Sequence, residues 1–255
     1  MAIVDHYRGI ALDIDGVLMR GDAAIPGATA ALADLRARGL PLAFVTNNAR
    51  RTPEEIAGWL GAAGMPAAAD AVVTSALAAA ALLAPGTRCL VIGMAGLRCA
   101  LEARGCALVR EPGAADAVVV GLDEDLTYDD LRRATLALAR GARFVGTNAD
   151  TTLPMQGGAL WPGNGAILAA LTAATEREPL IAGKPHRPLF DAAARRLGAE
   201  PRLFVGDRVD TDIAGAAAAG WDTALVLTGV STRADAATAE PPPDHVLADV
   251  RGLLP

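Results

Sequence analysis

The chain has 255 residues, 52% of them hydrophobic, with 23 basic and 29 acidic side chains and a net charge of −6. That length suits one large domain or a core plus an insertion and can bury a substantial core. An acidic balance without a basic cluster argues against nucleic acid as the main partner, and no run of about 18 apolar residues offers a transmembrane span.

Alanine inflates the hydrophobic fraction, and the most alanine-rich run, Ala76 to Ala84, is too short to cross a bilayer. The start Met1-Ala2-Ile3-Val4-Asp5-His6 lacks the basic and apolar regions of a signal peptide, so the chain is expected to be cytoplasmic. Cys89, Cys99 and Cys106 are odd in number and spaced neither as a zinc knuckle nor as a Cys-x-x-Cys pair, so they read as reduced residues.

The first predicted element carries the most chemistry. In Ile10-Ala11-Leu12-Asp13-Ile14-Asp15-Gly16-Val17 an apolar run ends in two carboxylates two residues apart, followed by a glycine that permits a sharp turn. Strand alternation puts Asp13 and Asp15 on one face, where two negative charges repel unless a cation sits between them. A hard divalent ion such as Mg²⁺ suits that pair. One carboxylate could then attack phosphorus while the other donates and later accepts a proton. Acids are also common at turns, and the motif alone is equally compatible with an Asp-x-Asp before a loop.

Short strand signals alternate with helical ones along the rest of the chain. Pro26 to Arg38 reads as a helix closed by Gly39, and Leu40 to Val45 as a buried strand. That strand ends in Thr46-Asn47-Asn48, whose hydroxyl and main-chain N–H groups suit phosphate oxygens. The same residues could simply cap the helix expected around Pro53 to Leu60. From Thr87 to Thr147 a separate series follows: strands at Arg88–Gly93, Ala107–Arg110, Ala117–Gly121 and Arg143–Val145, and helices at Leu97–Arg104 and Tyr128–Arg140. This is enough for an inserted α/β domain with its own core. Between Gly146 and Ala166 the pattern gives way to a glycine-rich polar stretch with Met155 and Trp161, which reads as a functional loop rather than a linker.

The last part returns to strong signals. Leu180-Ile181-Ala182 is a brief strand that ends in Gly183-Lys184-Pro185; a lone lysine is commonly a solvated charge, but the flanking Gly and Pro fix this one, and a cation is what a crowd of aspartates and phosphate oxygens would need. Arg202 to Val205 leads into Gly206-Asp207-Arg208-Val209-Asp210-Thr211-Asp212-Ile213, three further acids after one strand. Capping of a helix from Ile213 to Ala219 accounts for one of them. Asp207 is best placed to ligate a metal, and Asp212 to orient a metal-bound water or the lysine. Thr223 to Leu227 is a strand, and a helical stretch interrupted by Pro241-Pro242-Pro243 closes the chain.

The ordered set Asp13-Ile14-Asp15-Gly16, Thr46-Asn47-Asn48, Gly183-Lys184-Pro185 and Gly206-Asp207 through Asp212-Ile213 resembles the haloacid dehalogenase superfamily of phosphatases. The resemblance covers essentially the whole chain. A domain-sized insertion between the second and third motifs is similar to the class IIA branch with its large inserted cap. That branch, the nitrophenylphosphatase and NagD-like group, includes pyridoxal-phosphate, phosphoglycolate, glycerol-phosphate and nucleotide phosphatases. The implied fold is α/β: a Rossmann-like core of parallel sheet flanked by helices in two parts, 1–84 and 180–255, with an inserted α/β cap at 85–179.

The same resemblance implies the roles. Asp13 is the expected nucleophile, forming an aspartyl phosphate, and Asp15 the general acid and base. Thr46 and Asn47, with Asn48 beside them, are expected to bind phosphate, and Lys184 to balance charge around Asp13. Mg²⁺ is expected on Asp13, the main-chain carbonyl of Asp15 and Asp207, with Asp212 behind them, and Asn148 and Asp150 are candidate substrate contacts in the cap. The expected reaction is Mg²⁺-dependent hydrolysis of a small phosphorylated metabolite: a sugar phosphate, glycerol phosphate, nucleotide or pyridoxal phosphate. A phosphomutase or a non-catalytic phosphate sensor on the same fold is the alternative. Caps of this type often join in homodimers, and neither nucleic acid nor membrane is an expected partner.

Overall fold

The computed structural model describes residues 2–154, 159–198 and 200–255. They divide into two compact units: residues 1–46, 53–73 and 184–255 form the first, and residues 47–52 and 74–183 the second.

The first unit is built on a six-stranded sheet in the order His245–Leu247, Asp222–Val226, Arg202–Gly206, Gly9–Asp13, Leu42–Thr46, Val72–Thr74. Gly9–Asp13 lies at its centre, parallel to Arg202–Gly206 on one side and to Leu42–Thr46 on the other. All five residues of that strand are buried, which is why its sequence is a continuous apolar run rather than an alternation. Helix Ala28–Ala37 turns Ala28, Ala31, Leu32 and Leu35 toward the sheet, the one-face spacing of an amphipathic helix. These residues pack with Ile10, Leu12, Phe44, Ile56, Leu60, Leu203 and Val205.

The second unit has its own five-stranded parallel sheet, ordered Leu180–Ile181, Arg143–Gly146, Ala117–Val120, Arg88–Ile92, Ala107–Leu108. Leu90, Ile92, Val118, Val120 and Phe144 pack against Ala134 and Leu138 of helix Tyr128–Ala139 and against Ile167, Leu168 and Leu171 of helix Asn164–Thr175. The α/β class with parallel sheets flanked by helices is as expected. Among the described residues no helix is long and apolar enough to cross a membrane.

Three local expectations are corrected, and one run left without an element gains a helix. The boundaries expected at 84/85 and 179/180 fall instead at 73/74 and 183/184; the second moves because Leu180–Ile181 pairs with Val145 and Gly146 of the inserted sheet. The alanine-rich run forms helix Ser75–Ala81, capped by Thr74, whose side chain accepts from the Leu77 N–H. Its uniform small residues leave no amphipathic period to read. The stretch 146–166 is not a plain loop: Thr152–Pro154 pairs antiparallel with Leu160–Pro162, and a helix starts at Asn164. Met155, singled out in that stretch, lies outside the described residues. The helix expected from Ile213 opens earlier, as a π-helical turn over Val209–Ile213 that runs into Ala214–Ala218.

Candidate active site

Four of the expected residues meet at the carboxyl ends of the central strands of the first unit. Asp13 ends Gly9–Asp13 and is buried, as are Lys184, Asp207 and Asp212. The Lys184 ammonium sits 2.7 Å from Asp13 Oδ1 and 2.7 Å from Asp212 Oδ1. Asp212 Oδ2 accepts from the main-chain N–H of Asp207 at 3.0 Å and of Arg208 at 3.1 Å. The turn that opens at Val209 therefore folds its fourth residue, Asp212, back onto the loop after Gly206, which closes that loop and fixes the lysine from behind. Asp210 has a different fate, pairing at the surface with Arg208 at 2.7 Å.

Asp207 is held by the loop that follows strand Asp222–Val226. Its Oδ2 accepts from the Val230 N–H at 2.7 Å, and its carbonyl from the Ser231 N–H at 3.0 Å. Ser231 Oγ in turn accepts from the Val209 N–H at 3.0 Å. Gly16 and Gly229 let this backbone close on the carboxylate. Side-chain carbons there would fall 2.4 and 1.9 Å from Asp207 Oδ2, and Gly16 also has φ +81°.

Carboxylate oxygens of Asp13, Asp207 and Asp212 lie within 4.8 Å of one another. Burial, the largest influence, raises Asp13 well above the usual carboxylate range; Lys184 opposes the rise, and the neighbouring acids add to it. Asp207 is pushed up to about 6, by burial first and by the charge of Asp212 second. Burial works against a charged Lys184, but Asp13 and Asp212 outweigh it and hold its proton more firmly than usual. Three buried carboxylates against one ammonium leave a net negative site, and the donors are hard oxygens. A divalent cation such as Mg²⁺ fits this set, with Asp212 already committed to the lysine and two amides.

Thr46 ends strand Leu42–Thr46 and is buried; its neighbour Val45 is paired with Asp13, so its hydroxyl belongs to the same row of strand tips. Asp15 departs from expectation. The strand ends at Asp13, the chain turns through Ile14 and Gly16, and Asp15 is exposed and bridged to Met19 rather than standing beside Asp13 as a strand neighbour. Its charge still contributes to raising Asp13. Its carboxylate is not part of the three-acid group.

The second unit gathers three more of the expected residues. Asn47 Nδ2 donates to both oxygens of Asp150, at 3.3 and 3.5 Å. Asn148 Nδ2 donates to the Asn47 carbonyl at 2.8 Å, and Asn148 Oδ1 accepts from the Asp150 N–H at 3.2 Å. Asn48 does local work: its Oδ1 accepts from the N–H groups of Arg50 and Arg51, at 2.9 and 3.3 Å, shaping the turn.

Sequence reasoning missed the supporting residues. Thr228, whose hydroxyl donates to the Gly16 carbonyl at 2.6 Å, and the Gly229-Val230-Ser231 loop lie in a stretch read only as closing structure. A run of small polar residues directly after a strand was the available signal. Ser75 Oγ donates to the Asn47 carbonyl at 2.7 Å, and nothing in the alanine-rich sequence around it marks that role.

The family model for haloacid dehalogenase-like hydrolases matches residues 10–107, and a second, HAD-hydrolase-like model matches residues 181–253. The chain is 37% identical over 254 residues to an acid sugar phosphatase of Staphylococcus saprophyticus, covering 98% of this chain and 97% of that protein. It is 42% identical over 259 residues to the D-glycerol 3-phosphate phosphatase of Mycobacterium tuberculosis, covering 99% of this chain and 72% of that protein. Among solved structures it is similar to the glycerol phosphate phosphatase of Mycobacterium tuberculosis in complex with magnesium, with TM-score 0.94 and 41% identity, covering 99% of this chain and 78% of that one.

Proposed function

The chain belongs to the haloacid dehalogenase-like hydrolases, and on that premise we propose that it is a Mg²⁺-dependent phosphatase acting on a small phosphorylated metabolite through an aspartyl-phosphate intermediate. The observation that carries the reading is the buried set Asp13, Lys184, Asp207 and Asp212 at the strand tips.

In this reading Asp13 attacks the phosphorus of a phosphomonoester. The ester P–O bond breaks, and the leaving oxygen takes a proton from Asp15. Asp15 then accepts a proton from a water whose oxygen attacks the phosphoryl group on Asp13, and inorganic phosphate leaves with the Asp13 carboxylate restored. Exposure suits Asp15 to exchanging protons with substrate and water, while burial and the lysine contact keep Asp13 fixed for attack. Thr46 and Asn47 receive phosphate oxygens, and Lys184 balances the charge that gathers around Asp13. Asp13, Asp207 and the Asp15 main-chain carbonyl would hold Mg²⁺, which would supply positive charge beside the transferring phosphoryl group.

Sugar phosphates, glycerol phosphate, nucleotides and pyridoxal phosphate are the substrate classes to try, with Asn148 and Asp150 as contacts of the second unit. The relatives' names point to the first three, the nucleotides through a 5'-nucleotidase of Bacillus subtilis. A cytosolic setting and pairing of two copies through the inserted unit complete the proposal. The test is inorganic phosphate release from a panel of phosphorylated metabolites, with Mg²⁺ and with EDTA. Release from a narrow set that stops with EDTA supports the reading. No release by folded protein in the presence of Mg²⁺ overturns it.

A further inference from the structure

The second unit contains a feature that the proposed chemistry does not use. Asn164, the first residue of helix Asn164–Thr175, is 2% exposed, and its Nδ2 faces three acceptors. These are the Asn148 carbonyl at 2.6 Å, the Val120 carbonyl at 3.3 Å and Thr147 Oγ1 at 3.4 Å. Two carbonyl acceptors fix which end of the amide points there, because the flipped amide would set oxygen against oxygen. The other end, Oδ1, is then buried without a hydrogen-bond partner among the described residues. Such an atom is costly to leave in a folded protein, so a compensating role for the orientation is to be sought.

The neighbours of Asn164 supply that role. A side-chain carbon at Gly163 would fall 2.2 Å from the Asp150 carbonyl, and one at Gly165 would fall 2.5 Å from the Ala149 carbonyl. The Gly165 N–H also donates to the Asp150 carbonyl at 2.8 Å. The run Gly163-Asn164-Gly165 is thus a cradle into which the backbone of residues 147–150 is pressed, with the Asn164 amide holding its start. That loop carries Asn148 and Asp150, which between them take the carbonyl and the side-chain amide of Asn47.

We propose that Asn164, carried between Gly163 and Gly165, is a positioning residue for Asn47, acting through the loop Asn148-Ala149-Asp150. The proposal rests on the reading of Asn47 as a phosphate-binding residue and adds to it the residue that sets its orientation. Asn164 itself touches no substrate, because its side chain is enclosed.

The test compares Asn164→Ala and the near-isosteric Asn164→Asp with Leu171→Ala, a core truncation in the same helix chosen to match their loss of thermal stability. With p-nitrophenyl phosphate as the probe, both Asn164 variants are expected to lose about tenfold or more in kcat/KM, as small misplacements of binding groups do. Their Mg²⁺ activation constant should be unchanged, and Leu171→Ala should retain its kcat/KM. In an Asn47→Ala background the Asn164→Ala change should have under about twofold further effect, since its route of action is gone. Equal losses in Leu171→Ala, or full additivity with Asn47→Ala, would overturn the proposal. The side-chain amide resonances of Asn47 in a ¹⁵N-labelled protein give a readout independent of turnover. They should shift in Asn164→Asp and stay in place in Leu171→Ala, and unmoved resonances in Asn164→Asp would sink the idea. If the wild type hydrolyses no ester, the functional reading fails while these resonances still decide the positioning role.

Discussion

At the scale of single residues, the site is governed by how three buried carboxylates are reconciled with one ammonium. Lys184 touches two of them at 2.7 Å, so its removal leaves adjacent acids facing each other in a low-dielectric pocket. Lys184→Met is expected to lower stability by about 3–5 kcal/mol, the usual cost of breaking a buried pair by removing one partner. Chemical denaturation at neutral pH in EDTA checks this, and an unchanged midpoint would refute it. Asp207 gives a pH prediction whose sign follows from its raised value. The folded metal-free protein holds this proton up to about pH 6, whereas the unfolded chain releases it near 3.8. Between those values the folded state binds more protons, so this residue's contribution makes stability fall as pH rises through the window. Asp207→Asn removes that dependence. In EDTA the melting temperature of the wild type should fall relative to the variant as pH rises from 4 to 7, and Mg²⁺ at pH 7.5 should raise the wild type alone. Parallel curves, or an equal rise with Mg²⁺ in both, would contradict the assignment of Asp207 as metal ligand.

At the scale of elements, strands present the acids and the loops after them hold the acids in place. Gly9–Asp13 delivers Asp13 because its buried apolar residues run up to its carboxyl end, where the carboxylate stands. The loop at 228–231 has the opposite character: its sequence is unremarkable in hydrophobicity, yet its N–H groups and its missing side chain at Gly229 shape the surroundings of Asp207. Gly229→Ala is therefore expected to weaken Mg²⁺ activation markedly while the circular dichroism spectrum is retained, and an unaltered activation constant would argue against this account. The inserted sheet makes a further prediction. Cys89 is fully buried on strand Arg88–Ile92 and its thiol is pushed up to about 12, by burial first and by Cys106 second, while Cys99 is exposed. A thiol reagent should modify Cys99 rapidly in the native protein and Cys89 only after denaturation; rapid native labelling of Cys89 would show that the inserted core is open.

At the scale of the whole molecule, the α/β class and the motif-bearing strand tips were legible because buried parallel strands write themselves as apolar runs and end where charge begins. Asp13, Lys184, Asp207 and Asp212 could be named from sequence for that reason. Asp15 was harder, since alternation was extended one step beyond the point where the strand ends. The true limits of the inserted unit were not legible either. Leu180–Ile181 is too short to show which sheet it joins, and residues 47–52 reach the second unit through hydrogen bonds from Ser75, Gly96 and Asn148 that no local pattern announces. Asn164 escaped notice for a related reason: an asparagine beside glycines reads as a helix start, and only the packed loop shows what its amide holds.

The most direct test of the central claim is to trap the covalent intermediate. Asp15→Asn, which keeps the nucleophile and removes the proton donor and acceptor, would be mixed with Mg²⁺ and the best substrate of the panel, quenched in acid within a turnover and digested for mass spectrometry. The account predicts one phosphoryl group on the peptide that contains Asp13, and none when Asp13→Asn is added, which should also lower turnover of the otherwise wild-type enzyme by about 10³-fold or more. A phosphoryl group on another residue, or an Asp13→Asn enzyme that turns over normally, would contradict it.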